Sequence, residues 1–66
     1  SVVYKRLYFI YVLELNLTNN GGIDAASEQM KAKQYAEPFK ADKRRTIALA
    51  IELDDKGKGL VDWKEV

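Results

Sequence analysis

Two stretches of this 66-residue chain hold carboxylates at spacings that could do chemistry. The first is Glu14 with Asn16, an acid and an amide two residues apart, which share one face if the backbone is extended. The second is Asp54 to Glu65, DDKGKGLVDWKE. Its Asp54, Asp62 and Glu65 fall at the first, ninth and twelfth positions of an EF-hand calcium loop, with Gly59 sixth and Val61 eighth. Histidine and cysteine are both absent, which excludes zinc sites of the usual kind, disulfides and histidine acid–base chemistry. Any metal would have to be held by oxygen, in the manner of magnesium or calcium.

The calcium reading fails where ligands are needed. Lys56 and Lys58 occupy the third and fifth loop positions, and two ammonium groups there would oppose a divalent ion by several kcal/mol, on the order of magnitude expected at an effective dielectric near 20. A weaker echo upstream (Asn16, Gly21, Ile23, Asp24) ends on Ser27 instead of a bidentate acid. Asp54–Gly59 is therefore expected to be a glycine-rich hairpin turn, and an EF-hand pair ranks last among the functions considered.

The elements that position these residues begin with Leu7–Leu17, LYFIYVLELNL, the longest apolar run. At period two, Leu7, Phe9, Tyr11, Leu13, Leu15 and Leu17 share one face. Tyr8, Ile10, Val12, Glu14 and Asn16 share the other. That is the pattern of a central strand buried on both sides, with a polar pair at its mouth. Ser1–Tyr4 reads as a short strand before it, joined by a turn at Lys5-Arg6. Thr18–Gly22, TNNGG, is the strongest break. A helix is expected after it, capped by Asp24, with Glu28 in its first turn and Ile23, Ala26, Met30 and either Ala32 or the Lys33 stem facing the sheet. It should end at Pro38, with Glu37 extended. Lys40–Arg45 reads as a charged link. Thr46–Leu53 alternates as a strand, Ile47, Leu49, Ile51 and Leu53 against Thr46, Ala48, Ala50 and Glu52, and Leu60–Val66 closes as a short strand that packs Trp63 in the core or at an edge. The order β-β-α-β-β predicts a small α/β domain: a mixed four-stranded sheet with one helix on a face, its two long strands parallel through a right-handed crossover.

One domain of this size buries only about 60% of its unfolded surface, so its stability should be marginal. Eleven basic and ten acidic residues leave a net charge of +1, which predicts no strong global attraction to nucleic acid or membrane. Lys5-Arg6 before LYFIYVL has the beginning of a signal peptide, but Glu14 closes the run and no cleavage site follows. The run is also too short to span a bilayer. The chain is expected to be soluble and cytoplasmic, with no membrane partner.

YVLELNL, a glycine-containing break, a helix holding EQMKAKQYAEPF, then KADKRRTIALAIEL and a closing LVDWKEV together resemble a PD-(D/E)xK nuclease-superfamily domain. The version they resemble lies at the C-terminus of bacterial proteins with an AAA-ATPase-like N-terminal region. Lys33–Asp42, KQYAEPFKAD, is the most specific part of the likeness, which covers nearly the whole chain. The resemblance implies a truncated restriction-endonuclease-like core over residues 1–66, without the helix and first strand that usually precede it.

The family cleaves phosphodiesters with a magnesium ion held by an Asp and a Glu, beside a Lys that orients or activates water. On this resemblance Glu14 matches the acid, Asn16 stands where the Lys belongs, and Ser1 stands where the Asp is expected. Gln29 and Tyr35 match polar and aromatic helix positions bordering the site. An amide cannot replace an ammonium, and losing such help slows a reaction by about 10²–10⁴-fold. Glu14 alone is a weak magnesium ligand.

The resemblance therefore implies a degraded nuclease-like domain with no reaction of its own. Two alternatives stand beside it: a nuclease subunit completed by a partner chain, such as an ATPase-like protein, and a homodimerising interaction module. Lys31, Lys33, Lys40, Lys43, Arg44 and Arg45 could meet the phosphates of nucleic acid; a solvated charged surface accounts for them equally well. Without the resemblance, Glu14 is a strand-end acid at the water boundary, Asn16 is turn chemistry, and Gln29 and Tyr35 are ordinary helix residues.

Overall fold

The computed structural model describes all 66 residues. Four strands, β1 (Val2–Lys5), β2 (Phe9–Leu17), β3 (Arg45–Leu53) and β4 (Leu60–Glu65), form one sheet in the order β1-β2-β3-β4. One helix, α1 (Gly22–Ala32), packs against it. The architecture is α/β with the expected β-β-α-β-β order. β2 and β3 lie parallel in the centre, in unbroken register from Phe9 opposite Arg45 to Leu17 opposite Leu53. β1 and β4 are antiparallel edges, and β4 carries an irregularity opposite Glu52 and Leu53. No helix is long and apolar enough to cross a membrane.

Alternation decides what the helix covers. Ile10 and Val12 of β2 and Ala48 and Ala50 of β3 point to the same side as each other, and with Ala26 and Met30 of α1 they form the buried core. The β3 alanines let the helix backbone lie close to the sheet. Ile23, Tyr35, Phe39 and Val66 border this core.

Several expectations are corrected at element ends. The first hairpin turns at Arg6–Tyr8, not at Lys5-Arg6: Lys5 still pairs with Ile10, and Arg6 N–H donates to the Phe9 carbonyl at 2.8 Å. Leu7 lies in that turn, 76% exposed. β2 is central but not buried on both sides; its odd-numbered face has no helix over it, and Leu15 is 42% exposed.

The helix is not capped by Asp24. Gly21, at φ 95°, precedes α1, and Asp24 lies in its first turn without capping it. Ile23 N–H instead donates to Glu52 Oε1 at 3.0 Å, while the Thr18 hydroxyl donates to Glu52 Oε2 at 2.6 Å. Glu28 sits beyond the first turn. The helix stops at Ala32, well before Pro38, and Ala32 is exposed. There the chain reverses through Gln34, whose φ of 52° is left-handed. Pro38 and Glu37 lie in a separate single 3-10 turn, Glu37–Phe39, so Glu37 is not extended. A proline is welcome in a first turn, where its missing N–H has no partner to lose.

Glu52 and Gly22 are the sensitive pair. Gly22 has φ 58°, and a Cβ there would stand 2.5 Å from Glu52 Oε1. Gly22→Ala should therefore destabilise the fold by more than about 1 kcal/mol. Glu52→Ala, which strips the helix start of its acceptor, should cost about 1–2 kcal/mol. Urea denaturation followed by circular dichroism measures both. An effect below about 0.5 kcal/mol for Glu52→Ala would show that water replaces the carboxylate without loss.

Candidate functional site

Glu14 lies towards the carboxyl end of β2, on the helix side, and is 8% exposed. Its neighbours follow from the register. Val2 pairs with Leu13, so Ser1, just ahead of β1, comes level with Glu14. The Ser1 hydroxyl donates to Glu14 Oε1 at 2.8 Å. Lys33 lies just past the end of α1, where its N–H still closes the last turn on the Gln29 carbonyl at 3.0 Å. Its ammonium donates to the same Oε1 at 3.5 Å. The Ser1 α-amino group stands 3.8 Å from that atom.

Burial by itself pushes the Glu14 carboxyl up. The Ser1 hydrogen bond, the α-ammonium charge and Lys33 together outweigh it, and the group is held below its ordinary value. Glu14 is thus an ionised, internally compensated carboxylate.

The structure brings together Ser1 and Glu14, two of the positions singled out by the sequence, and adds Lys33, which had been read as a possible phosphate contact. It does not bring in the others. The Asn16 amide donates to the Asn20 carbonyl at 3.0 Å and belongs to the turn after β2. Gln29 is exposed on α1. Tyr35 borders the core and donates its hydroxyl to the Val66 carbonyl at 3.3 Å, a structural tie between the helix exit and the residue just past β4.

The six candidate phosphate-binding cations do not make one free basic surface. Arg44 is forked onto Asp42, at 3.0 Å from Nε and 2.7 Å from Nη2, and also reaches the Arg6 carbonyl at 3.0 Å. That hydrogen bonding holds the Asp42 carboxyl far below the usual range and raises Arg44. Lys33 is turned to Glu14, while Lys31 and Arg45 have ion pairs at 4.0 Å with Glu28 and Glu65. Lys40 and Lys43 have no ion-pair partner.

Asp54 also has internal work. Its Oδ1 accepts the N–H groups of Lys56 and Lys58 at 3.1 and 2.8 Å, and these bonds lower its carboxyl. It shapes a hairpin turn between β3 and β4. β3 leads into the Asp54–Glu65 stretch and β4 makes up its second half, where an EF-hand loop would run between two helices. Trp63, on the edge strand opposite Ile51, is 59% exposed and is an edge residue, not a core one.

The residues around Glu14 do not suit magnesium. One carboxylate oxygen is shared by a hydroxyl and an ammonium, and no three acidic groups converge anywhere in the structure. A divalent ion at Oε1 would sit against the Lys33 charge.

Glu52 is the acid that sequence reasoning missed. It is level with Asn16 on the parallel pair and faces the start of α1. Its signal was its place at the end of an alternating strand, but only the register shows that this end meets the Gly21-Gly22 break.

Acid should expose the Glu14 cluster. A carboxyl lowered on folding binds protons more readily in the unfolded chain, so it stabilises the fold above its unfolded value, near 4.5, and this stabilisation is lost as pH falls through its folded value. Unfolding midpoints should therefore fall as pH drops below about 4.5, and Glu14→Gln should flatten that slope. Parallel slopes in the two proteins would mean that Glu14 is not coupled to folding.

Compared with known proteins, the chain matches no family model, no curated protein and no solved structure.

Proposed function

We propose that this chain is a nuclease-like domain of the PD-(D/E)xK type that has lost its chemistry and acts without catalysis. The observation that supports this reading best is the occupation of Glu14 Oε1 by Ser1 and Lys33. Ser1 lies beside Glu14, which is where a second acid would have to lie for the two to share a metal, yet it supplies a neutral hydroxyl. Lys33 reaches the acid from the helix side and neutralises it instead of leaving it to a cation. Glu14, at the mouth of β2, thus serves folding: it fastens Ser1 and the residue after α1 to the central strand.

The residues that departed from the family pattern define the test. The chain should not nick supercoiled plasmid in millimolar magnesium or manganese, and Glu14→Ala should leave that baseline unchanged. Ser1→Asp with Asn16→Lys restores the missing acid and ammonium. This double variant should gain a magnesium-dependent rise in melting temperature, absent from the parent chain, and weak metal-dependent nicking. Robust nicking by the parent chain that disappears in Glu14→Ala would refute the non-catalytic reading. A double variant that is folded but blind to magnesium would remove the mapping of Ser1 and Asn16 onto the family site.

A further inference from the structure

The side of the sheet turned away from α1 has no covering layer. Tyr11 and Leu13 of β2 and Leu49 and Ile51 of β3 form its centre. Tyr4 of β1 flanks them on one edge and Trp63 of β4 on the other. The Tyr4 and Tyr11 rings lie 6.4 Å apart, and a shallow depression over β1, β2 and β3 is lined by Tyr4, Tyr11, Leu13 and Leu49 with Arg6 at its rim. Tyr4 and Trp63 are exposed, while Tyr11, Leu13, Leu49 and Ile51 are half-buried with no layer above them; an apolar face left open in this way marks an interaction surface.

The molecule's dimensions agree. The chain exposes 4692 Å², whereas a compact monomer of 7.5 kDa should expose about 4,250 Å². Its radius of gyration is 12.2 Å, against about 10.8 Å for a compact domain of this length. It is a slab of 36 × 23 × 14 Å, one helix and one sheet thick. What it lacks is a covering layer on the open side.

We propose that this open face is the interface between two copies of the chain, packed sheet to sheet about a two-fold axis that runs along the strands. Area and charge both point to a second copy. Strands of 4, 9, 9 and 6 residues, spaced about 4.8 Å apart, offer roughly 450 Å² of projected face. Two such faces come to roughly 900 Å² before side-chain relief is counted, close to the roughly 1,000 Å² of a small specific interface. The net charge of +1 sets no barrier to self-association.

The charges at the rim are also self-complementary. On the β1 side Arg6 leans over the Tyr4 ring, its guanidinium 5.6 Å from the ring centre. On the β4 side Glu65 is held only by a long 4.0 Å contact to Arg45. An axis along the strands lays β1 of one copy over β4 of the other, so Arg6 approaches Glu65 twice in each pair while the apolar centres meet. Aligned sheets in this arrangement pack about 10 Å apart. This interface is independent of whether Glu14 ever held a metal.

Sedimentation equilibrium on the 66-residue chain tests it. A mass twice that of one chain is expected at about 100 µM, a concentration that populates pairs whose dissociation constant is in the micromolar range. Leu13→Lys, in the centre of the open face and away from the core beneath α1, should weaken pairing by about 100-fold or more while the far-UV circular dichroism stays the same. Because a charge in a central strand can keep the chain from folding, the rim gives a second arm. Arg6→Glu should weaken pairing about tenfold, and Arg6→Glu with Glu65→Arg should restore it. A monomer at that concentration would overturn the proposal and leave the face to a different partner. A dimer indifferent to Leu13→Lys and to the charge swap would overturn it too, by placing the contact at the strand edges.

Discussion

The parallel pairing of β2 with β3 governs the rest of this structure. Parallel neighbours cannot be joined by a tight turn, so the chain must cross over the sheet, and here the crossover carries α1. Nine residues of each strand run in step, from Phe9 with Arg45 to Leu17 with Leu53. That register sets Glu52 at the level where the chain leaves β2, within reach of Thr18 and the Ile23 N–H in the first turn of the helix. It also decides which side chains the helix can cover. The covered set is small, with Ile10 and Met30 as its largest fully buried members.

A single crossover helix covers one face. The chain puts its alanines under that helix and its larger residues, Leu13, Leu49, Ile51 and Tyr11, on the other side. A stability argument restricted to the helix side would find too little buried apolar surface for comfort in a domain of this size. Electrostatics makes part of the difference. Glu14 with Ser1 and Lys33, Glu52 with Thr18 and Ile23, Asp42 with Arg44 and Asp54 with its turn each fix a junction between elements. The best placed of these act as caps and turn closures, where a carboxylate satisfies backbone N–H groups that would otherwise have no partner.

The same ties bear on chemistry. A catalytic carboxylate needs a free oxygen facing a cleft and a second charge to share the ion. Glu14 has its principal oxygen engaged on three sides, and the neighbouring position offers a hydroxyl. Its lowered carboxyl reflects internal pairing, and structural ion pairs perturb titration just as active sites do. The proposed loss of chemistry and the ties at Glu14 belong to one arrangement: the Ser1 hydroxyl and the Lys33 ammonium, which would oppose a metal at Oε1, are among the groups that keep the buried acid ionised.

Much of this fold was readable from spacing. Alternation in Leu7–Leu17 and Thr46–Leu53 was enough to assign both central strands and divide their side chains between two faces, and the TNNGG break marked the start of the crossover, because side chains on a pleated strand must alternate and glycine-rich polar runs cannot continue it; that β2 starts only at Phe9 and β3 already at Arg45 was not legible. Ile23, Ala26 and Met30 were legible as the helix face for the same kind of reason. Element ends were not. Asp24 lost the cap to Glu52 and Pro38 lost the helix terminus to Gln34, since each contest was settled by residues far away in the chain or by a local left-handed turn. Nor could spacing tell a site residue from a tie. That Ser1 and Lys33 converge on Glu14, that Asn16 turns away, and that one apolar face stays open depend on which strands are neighbours and where a single helix can lie. Those are properties of the assembled sheet, fixed by tertiary register and not by any local pattern.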